Sequence, residues 1–552
     1  MTTHVAQLAA HYWDSLMEAE PTWAHLLGDT GKASRYEDAS RAHEDVRIAE
    51  LRDFAAQADA IDEAGLGDDD RVTRAVLVND ASTRADMMAA RFPELGADPI
   101  FGLQRSAALV CGMLNVPDAA TAAAMVDKLA GMGQFFADLA ERQREGVRNG
   151  RVSASFAVRG TIEQIDRALA VPLDEDPVVA AIKAPEGVDT PEWRQQLTEA
   201  VARHLRPGMA QFRDALRDDV LAVARPDDKA GLCWLPGGED DYARTLRYYT
   251  TTGLGAQEIH DIGLAQLESL AEEYRALGSQ ALGLSDLEEI FTAMRTDPAL
   301  HFETGQQLVD ASKVALQRAW DAMGDWFEVL PQAPCAVEGT TTGAKAFYFP
   351  PANDGSRGGT FFINIEDPTA WGTFELESLA FHEGIPGHHL QLAVAAELPD
   401  AVPAIRKYTE TAAYAEGWGL YTERLADEMG LYSSDVDRLG MLSADSLRAC
   451  RLVVDTGLHA LGWSREQAVQ FMVDNSPMTR GICQPEVDRY LVSPGQATSY
   501  MIGRLEIQRM RREAEERQGD AFDIKAFHSA VLDSGTLPLG VLDQVVRRRL
   551  GA

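Results

Sequence analysis

The sequence predicts a mainly α-helical protein with one small β element, and three observations carry that expectation. Over most of its 552 residues alanine, leucine, glutamate and arginine dominate, and apolar residues recur every three or four positions. Breaks such as Pro185-Glu186-Gly187, Arg225-Pro226-Asp227-Asp228 and Leu235-Pro236-Gly237-Gly238 separate these segments. Only the stretch 331–367, rich in Pro, Gly and Thr, departs from the helical period. A chain of this length is expected to form two lobes or one large helical body. No repeat of roughly 20–50 residues suggests a solenoid.

In chain order, the period predicts helices over 46–58, 119–147, 190–223, 256–277 and 304–330. The apolar bursts Ala346-Phe347-Tyr348-Phe349 and Thr360-Phe361-Phe362-Ile363-Asn364-Ile365 then read as strands. The turn Asn353-Asp354-Gly355-Ser356-Arg357-Gly358-Gly359 joins them into a hairpin or small sheet at about residues 345–366. Such a strand edge can hold an extended peptide by main-chain hydrogen bonds, or it can be plain structure. Helices follow over 373–381, 402–429, 443–461 and 499–517. The expected division is an N-terminal helical part, 1–330, and a C-terminal catalytic part, 331–552, within one continuous unit.

Composition narrows the function. With 51 basic and 86 acidic residues the formal net charge is −35, which argues against nucleic acid as a partner. Hydrophobic residues, at 45%, suffice for a large core. Cys111, Cys233, Cys335, Cys450 and Cys483 are scattered and odd in number, so neither a disulfide framework nor a thiolate zinc site is expected. His4, His11, Asp14, Glu18 and Glu20 interrupt the first residues, which therefore lack the apolar core of a signal peptide. No run approaches the ~20 apolar residues that span a bilayer. A cytoplasmic protein without membrane or nucleic-acid partners, acting on a small molecule or short peptide, is the expectation.

The chemistry is concentrated in Phe381-His382-Glu383-Gly384-Ile385-Pro386-Gly387-His388-His389 and in Tyr414-Ala415-Glu416-Gly417-Trp418-Gly419-Leu420-Tyr421-Thr422-Glu423. Two imidazoles, a later carboxylate and a glutamate beside the first histidine are the parts of a zinc hydrolase. The spacing departs from H-E-x-x-H, because Pro386 stands where the second histidine belongs. In an unbroken helix His382 and His388 would diverge by ~120° and ~9 Å of rise, too far to share one ion. Pro386 removes a helical amide and Gly387 relaxes the backbone, so the pair predicts a bulge of about two residues. Looping out two residues makes His388 the second ligand; looping out three makes it His389. His388 is favoured, leaving His389 to face substrate or support a ligand. Glu416 is the expected third ligand, Glu423 an orienting partner of His382 or His388, and Glu383 the base that takes a proton from water.

A zinc hydrolase also needs a donor for the developing oxyanion. Tyr500 is the first choice, with Tyr490, Gln496 and Arg489 nearby in sequence. Asp455 and His459, at i and i+4, suit either an oriented catalytic pair or a buried structural bond. Arg489, or Arg357 on the hairpin turn, could pair with a substrate's C-terminal carboxylate. Asn364, at the end of the second strand, is a further substrate-binding candidate.

These residues resemble the bacterial family catalogued as domain of unknown function 885, over nearly the whole chain. The resemblance runs through Leu235-Pro236-Gly237-Gly238, the Tyr348 to Asn364 hairpin, His382-Glu383 to Gln391, and Ala415-Glu416-Gly417-Trp418. It continues through Asp455-Thr456-Gly457-Leu458-His459, Arg489-Tyr490 to Tyr500-Met501-Ile502-Gly503, Phe527-His528 and Leu537-Pro538-Leu539. More distantly the motifs are similar to those of helical zinc peptidases of the thimet-oligopeptidase and Taq-carboxypeptidase type. That likeness implies a deep central cleft with residues 1–330 forming one wall, and one zinc ion on His382, His388 and Glu416. It further implies hydrolysis of short peptides with Glu383 as base. A zinc hydrolase of another amide or ester, and a non-catalytic scaffold that keeps a metal site, are the alternatives.

Overall fold

A computed structural model describes residues 3–341, 344–351, 357–409 and 411–551. The protein is mainly helical, with one three-stranded sheet among the described residues. The chain forms two compact units. One comprises Met1–Ile61, Asp80–Arg244 and Gly462–Glu466; the other comprises Asp62–Asn79, Thr245–Leu461 and Gln467–Ala552. Residues 245–330 thus pack with the expected catalytic part, and the main division falls before them rather than at 330. The helix Ala256–Ala281 is the reason. It runs along Asp435–His459, where His260 Nδ1 lies 2.9 Å from the Thr456 hydroxyl.

In the first unit, Ala119–Asn149 buries Met125, Leu129, Met132 and Phe136. The Phe136 ring lies 5.9 Å from that of Phe212 on Arg206–Ala215. The helix expected over 190–223 is present but not uniform. Pro191–Ala200 and Arg206–Ala215 are α-helical, whereas Val201–Leu205 and Leu216–Val220 are π turns. Pro207 has no amide to return to residue 203, and the Arg206 N–H instead reaches the Val201 carbonyl.

In the second unit the Asp435–His459 helix is buried on almost every side from Leu439 onward. It begins at Asp435 rather than at 443, because Ser434 caps it by accepting the Asp437 N–H. Its fully buried Asp445 is paired, as burial requires: it accepts Arg424 Nε and Arg504 Nη1, both at 2.5 Å. The helix expected over 402–429 is interrupted, giving Ala404–Tyr408 and Ala412–Glu428. The Arg406 and Thr409 carbonyls turn outward to Thr536, accepting its N–H and its hydroxyl, each at 2.8 Å. That tertiary pairing overrides the local helical preference.

The sheet has the order β1-β3-β2, from β1 (Cys335–Thr340), β2 (Ala346–Phe349) and β3 (Gly359–Asn364). β2 and β3 form the expected antiparallel pair; residues 353–356 of their turn lie outside the described residues. β1 pairs parallel to β3 and was not anticipated, since its short sequence, half of it exposed and none of it buried, carries little strand signal.

His528 pins the Glu416 helix to the preceding chain. Its Nδ1–H donates to the Trp326 carbonyl at 2.8 Å, and its Nε2 accepts the Tyr421 hydroxyl at 2.9 Å. Burial pushes its pKa down to about 3. The unfolded chain takes up this proton below a pH of about 6.5 and the folded chain does not. Stability is therefore complete above that pH and falls as pH drops toward 3. Compared with His528→Gln in urea titrations, the wild type should lose about 1 kcal/mol more per pH unit between 6 and 4. Parallel losses in both proteins would refute this assignment.

Candidate metal centre

His382 lies in the last turn of the helix Glu375–Glu383, His388 opens the helix His388–Ala396, and Glu416 sits on Ala412–Glu428. His382 Nε2 and His388 Nε2 each stand 3.5 Å from Glu416 Oε2. The two rings cross at 86°, with centroids 4.8 Å apart. All the ligand atoms lie within 4.8 Å of one another. Tetrahedral zinc with bonds of ~2.0–2.1 Å separates its donors by about 3.4 Å, so the two His–Glu spacings are those of such a centre. Among the described residues this is the one group of three or more His, Cys, Asp or Glu able to hold a metal ion.

The charges reinforce the geometry. Burial opposes a proton on His382, but the Glu416 and Glu423 carboxylates outweigh it and raise the pKa to about 9. Burial would raise Glu416, yet the two histidines hold it well below the usual carboxylate range. An anionic carboxylate therefore faces two imidazoles that a metal ion and protons compete for. Side-chain exposure rises from 2% at His382 to 12% at His388 and 22% at Glu416, so the set is open on one side.

The interruption between the histidines is larger than the two-residue bulge expected. The first helix ends at Glu383 and the second starts at His388, leaving 384–387 as a full break with a cis Ile385–Pro386 bond. The His389 N–H spans it, donating to the Gly384 carbonyl at 3.0 Å. Gly387 allows the tight return: a Cβ there would lie 1.9 Å from the His382 oxygen and 2.4 Å from that of Phe381. The Glu416 helix fastens the break, with Trp418 Nε1 donating to the Pro386 carbonyl at 2.9 Å and Thr422 Oγ1 to that of Phe381 at 3.2 Å. Gly419 on the same helix makes room for the His382 ring, three atoms of which lie 2.7–3.0 Å from where a Cβ would be.

His388, and not His389, completes the group. His389 is fully buried; its Nε2–H donates to the Ala333 carbonyl at 3.0 Å and its Nδ1 accepts the Tyr348 hydroxyl at 2.8 Å. Burial lowers its pKa to about 4, in keeping with this neutral ring. His389 joins the helix His388–Ala396 to β2 and has both nitrogens engaged, which corrects its assignment as a substrate-binding residue.

Glu423 is the orienting carboxylate, and its partner is His382: Oε1 lies 2.7 Å from Nδ1. Ser378 Oγ donates to Oε2 at 2.5 Å and fixes the carboxylate in turn. A proton held on Nδ1 leaves Nε2 facing the site. Glu423→Gln is expected to weaken zinc binding about 10–100-fold in competition with a chromophoric chelator. An unchanged affinity would remove this role.

Glu383 is half-buried and its carboxylate makes no hydrogen bond or ion pair among the described residues, while its charge is felt by His382. Tyr500 is brought near by a close helix crossing, in which a Cβ on Gly417 would lie 2.5 Å from Gly503 Cα. Burial and then the Glu416 charge raise its pKa, and the Arg451 and Arg489 guanidiniums work against them. Arg451 lies 4.4 Å and Arg448 5.8 Å from the Tyr500 ring centroid. Gln496 accepts Arg489 Nη1 at 2.5 Å, and Glu486 accepts Arg489 Nη2 at 3.1 Å.

Several other candidates serve the scaffold. His459 is fully buried with Nε2 on the Tyr490 carbonyl at 3.0 Å, so its catalytic assignment is corrected. Asp455, equally buried, accepts the Gly495 N–H at 3.0 Å. Tyr490 is buried and donates to Glu486 at 2.7 Å. Arg357 is exposed, donates to the Gly358 and Pro350 carbonyls and lies over the Phe349 ring. Asn364 Oδ1 accepts the Glu366 N–H at 2.9 Å at the end of β3. Sequence reasoning missed Ser378, Trp418, Gly419, Arg448 and Arg451. Ser378, one turn before His382, was within reach of a spacing argument, whereas the others touch the site only through tertiary contacts.

The chain is similar in fold to two solved proteins. One, described as a "putative lipoprotein" from Colwellia psychrerythraea, is 25% identical with a TM-score of 0.90 over 99% of each chain. The other, described as a "putative lipoprotein of unknown function" from Shewanella oneidensis, is 18% identical with a TM-score of 0.74 over 98% of this chain and 99% of that one. No curated protein matches. Residues 21–546 match the family described as "Bacterial protein of unknown function (DUF885)", and to that family this chain belongs.

Proposed function

We propose that this protein is a zinc-dependent hydrolase that cleaves short peptides. The observation that carries the reading is the open His382, His388, Glu416 triad with an uncommitted carboxylate, Glu383, next to its first ligand. His382, His388 and Glu416 would hold one zinc ion, which when bound supplies Lewis acidity and brings the pKa of water toward ~7. Glu383 takes the proton of the attacking water and passes it to the leaving amine. Tyr500 donates its phenolic hydrogen to the carbonyl oxygen as negative charge grows there. Glu423 and Ser378 keep the His382 ring from turning. The distant likeness to helical zinc peptidases favours peptides over other amides or esters.

A structural zinc site would usually be closed by a fourth protein ligand. His389, the adjoining histidine in sequence, has both nitrogens engaged elsewhere, which favours catalysis over a scaffold. The test is metal analysis of protein purified without added metal, followed by digestion of a mixed peptide pool read by mass spectrometry. One zinc per chain with chelator-sensitive cleavage is expected; zinc-loaded protein that cuts nothing would sink the peptidase reading. The absence of disulfides among the five cysteines favours the cytoplasm. Cell fractionation tests this against the membrane-anchored arrangement that the word lipoprotein implies for the two neighbours. Among the described residues no helix is long and apolar enough to cross a membrane.

A further inference from the structure

We infer that Arg448 is the docking point for an anionic group of the substrate, the carboxylate of a free peptide C-terminus. The inference deepens the hydrolytic reading above and rests on it. Arg448 and Arg451 lie one turn apart on the buried Asp435–His459 helix, and both guanidiniums approach the Tyr500 ring, at 5.8 and 4.4 Å.

The buried arginines around the site are not held alike. Arg451 places Nη2 2.8 Å from Glu486 and Nε 3.1 Å from the Tyr490 hydroxyl. Arg489 holds Gln496 at 2.5 Å, and Arg504 holds Asp445 at 2.5 Å. Arg448 differs. Its side chain is only 9% exposed, yet its acceptors are the Ala444 carbonyl at 3.4 Å and Glu423 Oε1 at 3.6 Å; its buried Nε has no hydrogen-bond partner, as is true of Arg451 Nη1 and Arg504 Nε, but unlike those two arginines it holds no carboxylate within 3 Å. A guanidinium carries five N–H donors, and leaving them unmade inside a protein is costly unless a ligand completes them.

The ligand that fits is planar, anionic and two-oxygened. Arg448, Arg451 and Arg489 cluster around Tyr500 with Glu423, Glu486 and Glu416 as the nearby carboxylates, so an anionic group would meet several guanidiniums here in a chain of net charge −35. A carboxylate matches the fork of a guanidinium in shape as well as charge. Arg448 stands beside Glu423, which orients His382, and beside Tyr500. A C-terminus held there fixes the distance from the chain end to the triad, so that cleavage removes residues from that end.

The test uses the zinc-loaded, full-length Glu383→Gln protein, which is expected to bind without turning over. Calorimetric titration compares acetyl-tetra-alanine as the free acid with the same peptide as its C-terminal amide. The acid should bind at least tenfold more tightly; adding Arg448→Met should abolish the preference, and Arg448→Lys should keep part of it. Zinc content and the circular-dichroism melt should stay unchanged in both. Equal binding of acid and amide, binding of neither, or a preference that survives Arg448→Met would overturn the assignment. Loss of zinc in both Arg448 variants would show that Arg448 merely steadies Glu423 and would overturn it too. The two ideas fail separately. Wild-type protein that prefers the acid but hydrolyses neither peptide refutes the hydrolase and keeps the subsite, whereas hydrolysis of both with binding blind to the carboxylate does the reverse.

Discussion

Glu383→Gln should lower kcat for peptide hydrolysis by about 10²–10⁴-fold while the protein retains its zinc. Glutamine has nearly the same shape as glutamate but cannot accept the proton of the attacking water. The Glu383 carboxylate makes no hydrogen bond or ion pair among the described residues, so the exchange removes a base without breaking the fold. A stability change within about 0.5 kcal/mol is expected. Tyr500→Phe should fall in a neighbouring range, about 10²–10³-fold in kcat, as the loss of one oxyanion donor does. Steady-state kinetics with inductively coupled plasma metal analysis checks both. Wild-type rates in Glu383→Gln would remove it as the base.

Gly387→Ala should damage the fold and the proposed metal site together. The new Cβ would lie 1.9 Å from the carbonyl oxygen of His382, a proposed metal ligand, and 2.4 Å from that of Phe381. Neither oxygen can withdraw without moving the last turn of the helix that presents His382, and Thr422 Oγ1 holds the Phe381 carbonyl from the other side. Overpacking of this kind costs about 1–3 kcal/mol. Because the displaced atoms belong to the ligand segment, zinc affinity should fall by at least the roughly 10–100-fold of a lost supporting contact. Thermal melts with and without zinc read both effects: the variant should melt lower and gain less from added zinc. A variant that binds zinc like the wild type would refute the account of how His388 reaches His382.

Much of the site was legible in the sequence because its signals are local. His382, Glu383, Pro386, Gly387 and His388 lie within seven consecutive residues, and the helical repeat alone forbids a shared ion unless the helix breaks. Glu416 and Glu423, two turns apart on one helix, could be read as ligand and orienting partner by the same periodicity. The helices over 119–149 and 256–281 were legible for a similar reason, since long amphipathic segments state their period many times over. The break within 402–429, the strand β1 and the early start at Asp435 were not. Each depends on a distant partner or on a cap that the hydrophobic pattern does not record.

The sequence by itself determined a mainly helical protein, a forced interruption between two histidines, and the identities of the residues that converge there. Only the tertiary structure decided which histidine turns inward. The Tyr348 hydroxyl and the Ala333 carbonyl claim both nitrogens of His389, leaving His388 free to face Glu416. It also decided that His459 is buried on the Tyr490 carbonyl and that Arg448, beside Tyr500, meets its nearest carboxylate only at 3.6 Å. The physical reason is that residue chemistry and helical phase are properties of neighbouring residues. Whether a buried polar atom is satisfied depends on groups brought to it from far along the chain.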